Sequence, residues 1–297
     1  MKEEIANWAD KAMYDAAPMQ SIEPQVHLLS ATPDPLGAIA AACRMYEGKP
    51  TYALKDITDE EREAAWQQVN ETHLKAPLEF VDLHFFIEGV TRSNTHQMVR
   101  QRTAVYAQES LRFAVKGEMS KEVALPPSLQ GGDKKRARDM WLLTTENLEE
   151  VYNALIGEGV PAEDARGLLP HAITTRLNYK TNLRNLLEHA GNRLCTQAQY
   201  EWRAVFAGIV KAIHDYSPPQ YEPRSVHAPI VQKWNKWQFE LIAGSGVFKP
   251  VCFQLGHCPF NAKFDRGCTI RKRVEEGRFD QINYEEWMYD PTAGRVL

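Results

Sequence analysis

The sequence predicts an α+β fold, an antiparallel or mixed sheet packed by long helices. Three observations carry that expectation. From Leu78 to Val90 the chain is dense in Phe, Val, Leu and Ile with no breaker before Gly89, which reads as a strand. Residues 104–115 read as a second extended segment. In contrast, Leu183, Leu186, Leu187, Ala190 and Leu194 recur at helical spacing, with Asn182, Asn185, Glu188 and Asn192 on the opposite side, so 179–194 reads as a helix.

The remaining elements follow in chain order. Residues 1–30 read as a short helix and then irregular chain. Asp34 is placed to cap a helix running from Pro35 to Tyr46, which Gly48 and Pro50 end. Thr58-Asp59-Glu60-Glu61 is a capping-box pattern that opens a helix to about Glu71. Residues 93–102 read as a helix. Two prolines and Gly131-Gly132 make 117–133 a loop. A helix follows from about Lys134 to Leu155. Pro161 opens a short helix that ends before Pro170, and another helix spans Gln197 to Ile213. Ser217-Pro218-Pro219 then breaks the pattern, and a region with Trp234, Trp237 and clustered cysteines begins. The expected division is a catalytic domain over 1–216 and an extension over 217–297.

Net charge is −4, so no global field draws nucleic acid, and any anion site must be a local concentration of charge. No apolar run is long enough to span a bilayer. The N-terminus, Met1-Lys2-Glu3-Glu4, has no apolar signal core. The five cysteines are odd in number and do not form a secreted disulfide framework. The expectation is a reducing, cytoplasmic setting without membrane attachment.

The chemistry concentrates in Arg100-Gln101-Arg102-Thr103-Ala104-Val105-Tyr106-Ala107-Gln108-Glu109-Ser110-Leu111-Arg112-Phe113. Three guanidinium groups and a hydroxyl in so short a stretch suit a bound phosphate, which planar forks satisfy in pairs. Upstream stands His73-Leu74-Lys75-Ala76-Pro77-Leu78-Glu79. Downstream stand Ala165-Arg166-Gly167-Leu168-Leu169-Pro170, then Asn182-Leu183-Arg184, Arg193 and Gln197-Ala198-Gln199-Tyr200-Glu201.

These four segments, in this order across about 73–203, resemble the motifs of the flavin-dependent thymidylate synthases. That family methylates dUMP at C5 using reduced FAD and methylene-tetrahydrofolate. The resemblance implies a homotetramer with the flavin at a subunit junction, and NADPH as reductant. It also implies that Gln97, Arg100, Gln108, Ser110, Leu111, Arg112, Arg166 and Arg193 bind the nucleotide. His73, Glu79, Arg100, Gln101, Arg102, Thr103, Asn182, Arg184, Arg193 and Gln197 would hold FAD. Arg193 would stabilise negative charge developing on the pyrimidine, with Ser110 beside the phosphate, and the flavin would perform the redox step.

The sequence departs from the family pattern at several places. Gln101 stands where the family has histidine. Val105, Ala107 and Phe113 replace a serine, an asparagine and a tyrosine. Gln197 and Glu188 replace a histidine and an asparagine. These departures keep open a related enzyme that methylates or hydroxymethylates UMP or dCMP. A reading of another class is a nucleic-acid-binding module using Arg92, Arg100, Arg102, Arg112 and Lys116, with Tyr106 and Phe113 as stacking surfaces; the acidic net charge argues against it.

In the extension, Cys252, His257, Cys258 and Cys268 supply thiolate and imidazole groups within reach of one another in sequence. Their Cys-x5-Cys-x9-Cys spacing is not that of a zinc knuckle, so no metal is assigned. The competing reading is buried free thiols packed with Phe253 and Phe260.

Overall fold

A computed structural model of the chain describes residues 23–130, 132–195, 198–217, 235–259 and 268. Four strands are present: β1 (Gln25–Ala31), β2 (Asp82–Thr91), β3 (Val105–Gln108) and β4 (Thr174–Asn182). The helices are α1 (Pro35–Tyr46), α2 (Asp59–Glu71), α3 (Arg92–Met98), α4 (Met119–Glu122), α5 (Lys135–Gly157), α6 (Ala162–Ala165), α7 (Leu183–Arg193), α8 (Tyr200–His214), α9 (Lys236–Gly244) and α10 (Val251–Leu255). The strands form one sheet in the order β1-β2-β4-β3. Each ladder is antiparallel. The Thr32 N–H donates to the Asp82 carbonyl at 3.0 Å, that of Leu183 to Val81 at 2.8 Å, and that of Glu109 to Arg176 at 3.0 Å. This is the expected α+β architecture.

The chain divides into two compact units. The first holds Glu88–Arg100 and Ala107–Leu177; the second holds Gln25–Ile87, Gln101–Tyr106 and the described residues from Asn178 onward. In the first, Leu111, Met119, Val123, Tyr152, Ala165 and Ile173 form a core, against which Trp141, Leu148 and Leu155 of α5 pack. A bridge between Val123 and Ile173 ties the loop before α5 to the chain entering β4.

The second unit begins with two well-capped helices. The Asp34 carboxylate accepts the Gly37 N–H at 2.9 Å, and Pro35 occupies the first helical turn of α1. At α2 both halves of the capping box form: Glu61 N–H to Thr58 Oγ1 at 3.3 Å and Thr58 N–H to the Glu61 carboxylate at 2.9 Å. Both caps are as the sequence predicts. α8 lies close on β1: a Cβ at Gly208 would stand 2.7 Å from Val26 Cγ2, so only glycine fits there. α9 packs on α8 and α1. The buried Gln238 of α9 accepts the Leu36 N–H at 2.8 Å and donates to Asp34 at 2.9 Å.

Several expected boundaries move. Residues 25–31 form a strand where irregular chain was expected; Val26 and Leu28 are half-buried in an alternating pattern. The strand expected over 78–90 starts at Asp82, because Ala76–Phe80 winds into a 3-10 turn led by Pro77. The helix expected from 179 starts at Leu183. Thr174–Asn182 is a strand whose Thr175, Leu177, Tyr179 and Thr181 alternate inward, and Asn182 is where strand becomes helix. The extended segment expected over 104–115 is a strand only at Val105–Gln108. The helix expected over 93–102 covers Arg92–Met98. That expected over 197–213 begins at Tyr200, and the first helix of the expected N-terminal segment lies outside the described residues.

Candidate functional site

In the first unit, cationic and hydroxyl groups gather around two glutamates, and two of the candidate phosphate ligands, Arg112 and Arg166, meet at the second. Glu109 sits at the end of β3, four-fifths or more buried as a side chain. It receives Lys116 Nζ at 3.2 Å, Thr175 Oγ1 at 3.3 Å and Arg176 Nε at 3.6 Å, and its backbone carbonyl receives Arg92 at 3.4 Å. Glu163 of α6 is the second. Arg112 Nε reaches its carboxylate at 2.6 Å, and Arg166 Nε donates to its backbone carbonyl at 3.0 Å. Arg92 and Arg166 are near enough to feel each other's charge: burial and then Arg166 lower the Arg92 pKa, while Glu109 raises it.

The structure therefore brings Arg112 and Arg166 together. Ser110 is exposed and its Oγ accepts the Arg112 N–H at 3.4 Å. Gln108 donates to Thr95 Oγ1 at 2.9 Å. Gln97 is half-buried on α3, while Arg100 is exposed beyond the helix end and makes no ion pair among the described residues. Leu111, expected at the nucleotide, has its side chain in the hydrophobic core. Lys116 is also buried and joined to Glu109 and Glu122, which removes it from any exposed basic surface for nucleic acid.

In the second unit, the N-terminus of α7 organises the candidate flavin residues. Asn182 caps it by accepting the Asn185 N–H at 2.9 Å, and Asn185 Nδ2 donates to the Thr103 carbonyl at 3.3 Å. Arg184, in the first turn, bonds Glu79 at 2.6 Å and Glu188 at 3.0 Å. Gln101 bridges three elements. Its Nε2 donates to the Asn185 carbonyl at 3.3 Å, and its Oε1 accepts Tyr179 at 3.0 Å and Tyr106 at 3.3 Å. The two tyrosine rings stack at 5.3 Å. Burial raises both phenols, so they remain neutral donors. His73 and Arg102 are exposed without a partner among the described residues, and Gln197 lies outside them.

Arg193 stands at the last turn of α7. Its guanidinium lies over the Trp202 ring at 5.2 Å, and its Nε donates to His189 Nε2 at 3.3 Å. Burial and the adjacent Arg193 charge push His189 down to about 3, so its imidazole stays neutral. The proton is then on Nδ1, which is buried and lacks a partner among the described residues. Burial lowers the Arg193 pKa, but a guanidinium keeps its proton at any working pH.

Sequence reasoning missed Arg176, Tyr179 and His189. The alternation from Thr174 was a signal for the first two, since a strand there carries Arg176 on one face and Tyr179 on the other. His189 gave none, because its ring matters only through Trp202, which stacks edge-on at 4.8 Å from thirteen positions on in sequence.

Comparison with known proteins adds to this geometry. The sequence model of the family described as Thymidylate synthase complementing protein matches residues 27–219. The flavin-dependent thymidylate synthase of Geobacter sulfurreducens is 34% identical over 202 residues, covering 65% of this chain and 84% of that one. The one from Pyrococcus abyssi is 31% identical over 235 residues, covering 74% and 87%. Among solved structures, a thymidylate synthase from Helicobacter pylori with FAD and dUMP is 21% identical with a TM-score of 0.52, covering 63% of this chain and 92% of that one. A UMP/dUMP methylase from Streptomyces cacaoi bound with 5-Br dUMP is 17% identical with a TM-score of 0.56, covering 66% and 91%. At those identities the structures share the fold, and the family follows from the sequence matches. The chain belongs to the flavin-dependent thymidylate synthase family.

Proposed function

We propose that this chain is an FAD-dependent thymidylate synthase, a methyltransferase that converts dUMP to dTMP. The observation that carries the reading is the gathering of arginines around Glu109 and Glu163 on a frame that matches the family over 27–219. Arg112 and Arg166, with Ser110, take the phosphate. Glu163 holds the two guanidinium groups when no phosphate is bound, which limits the entropy lost on binding. Gln97, Gln108 and Arg100 complete the nucleotide contacts.

The α7 N-terminus fits a flavin cofactor. Backbone N–H groups and the helix dipole favour a pyrophosphate there, and Arg184 adds a cation in the first turn. Glu79, Thr103, Asn182, Gln101, Arg102, His73 and Gln197 complete the flavin set. When bound, reduced FAD supplies the hydride. The chain's part is positioning and electrostatics. In this reading Arg193, stacked on Trp202 and beside neutral His189, is the fixed positive charge that stabilises negative charge developing on the pyrimidine.

Methylene-tetrahydrofolate is the carbon donor and NADPH the reductant in this reading, and four chains form the working assembly. Exposed apolar side chains such as Phe113, 79% exposed, and Val105, 67% exposed, support an assembly that covers them. The test is mass spectrometry of nucleotides after anaerobic incubation with dUMP, methylene-tetrahydrofolate, FAD and NADPH. The expected product is dUMP plus one methylene. If the yellow protein leaves dUMP unchanged but adds carbon to UMP or dCMP, the nucleotide assignment is overturned.

A further inference from the structure

Four of the five cysteines belong to no part of the reaction described above, and they converge. A Cβ at Gly191 of α7 would meet Gln254 Nε2 at 3.6 Å and the Val251 backbone nitrogen at 3.8 Å, so that face of α7 abuts α10. Cys195 follows directly on Leu194, the residue that caps the end of α7 and whose N–H bonds the Ala190 carbonyl at 2.9 Å. Across from it, Cys252 is the second residue of α10. Gly256 then reverses the chain with φ of 72°, its N–H bonded to the Cys252 carbonyl at 3.0 Å, and Cys258 follows two residues later.

We propose that Cys195, Cys252, Cys258 and Cys268 form a tetrathiolate site for a zinc ion, joining the end of α7 to the chain beyond the family match. Each of the four is partly buried and none is in a disulfide. Cys195, Cys268 and Cys258 all lie within electrostatic range of the half-buried Cys252 thiol. Among the described residues no three His, Cys, Asp or Glu side chains already surround a single point as metal ligands do. The ion would draw the sulfurs in to about 2.3 Å, as structural zinc does when it completes its own site. On binding, the four S–H protons leave to solvent and four thiolates bind one Zn2+. His257, grouped with these cysteines in the sequence, is exposed and its Nδ1 lies 3.0 Å from the Leu255 carbonyl; the set instead takes Cys195, nearly sixty residues earlier in sequence.

The test uses the full chain, purified without chelator, with metal content measured by mass spectrometry and with cobalt substituted for zinc. The expected result is one zinc per chain and, with cobalt, an intense thiolate-to-metal charge-transfer absorption. Cys195→Ser and Cys268→Ser should each lose both, whereas His257→Ala and Cys43→Ser should keep them. Absence of zinc together with absence of the cobalt absorption in the unmodified chain overturns the proposal, whatever the variants do. So does a Cys195→Ser protein that retains full metal while His257→Ala loses it. Neither readout depends on flavin or on turnover.

Discussion

Arg193 shows how a single residue is tuned by what surrounds it. A half-buried cation needs compensation, and here the face of Trp202 and the lone pair of neutral His189 supply it. The neutrality of His189 has a thermodynamic cost at low pH. Its pKa drops from 6.5 in the unfolded chain to about 3 when folded, so the unfolded state binds the extra proton first. Stability is therefore fully present above pH 6.5 and falls by about 1.4 kcal/mol per pH unit as pH drops toward 3. Urea unfolding at several pH values checks this; His189→Phe should flatten the slope in that window. Arg112 gives a second residue-scale prediction. Arg112→Ala removes a charged contact to phosphate, of about 1.5–3 kcal/mol, and should weaken dUMP binding about ten- to a hundred-fold while the protein stays yellow. Titration calorimetry with dUMP decides it; unchanged affinity would move the phosphate elsewhere. Gln101, a departure from the family motif, is fully engaged in the fold. Its amide accepts from two phenols and donates to a carbonyl at once, a pattern the sequence alone did not reveal because Tyr179 is distant in the chain.

At the scale of elements, legibility followed locality. The caps of α1 and α2 are written within four residues of chain, and both form as read. The start of α7 was misplaced because Tyr179-Lys180-Thr181 was joined to the leucine repeat after it, when Thr175, Leu177, Tyr179 and Thr181 already alternate as a strand. β1 was missed because an edge strand with only half-buried faces has a weak apolar alternation. The strand-to-helix junction at Asn182 is the element on which the flavin reading depends. Asn182→Ala removes the cap at a cost of about 1 kcal/mol and loosens Arg184 with it. Absorbance of the purified variant should show the flavin lost while thermal unfolding falls by only a few degrees; retained colour would detach the flavin from this helix end.

At the scale of the whole molecule, chain outside the family match is built into the fold. Gln238 lies in α9, beyond residue 219, yet its amide satisfies the Leu36 N–H and the Asp34 carboxylate in a fully buried position. Burial raises the Asp34 pKa, but hydrogen bonds from Arg62 and Gln238 more than offset it, and the net shift is downward. Gln238→Ala leaves a buried N–H and a carboxylate oxygen short of partners, a loss of about 1–3 kcal/mol in chemical unfolding. Gln238→Glu should be no better, because it sets a second carboxylate beside Asp34. The role of this segment was not legible from sequence, since its contacts span about two hundred residues. The expected assembly of four chains belongs to the same scale, and light scattering coupled to size-exclusion chromatography measures it directly.

The Gln238 contacts have a further consequence for how the polypeptide can be made. Asn235 donates to the Pro33 carbonyl at 2.6 Å, and Phe239 stacks edge-on against Tyr216 at 5.0 Å, so α9 meets the rest of its unit through an apolar ring with a polar address. Residues up to Ser217 and residues from Asn235 onward carry the two halves of that seam, so a chain stopped at Ser217 should co-purify with a co-expressed peptide that begins at Asn235.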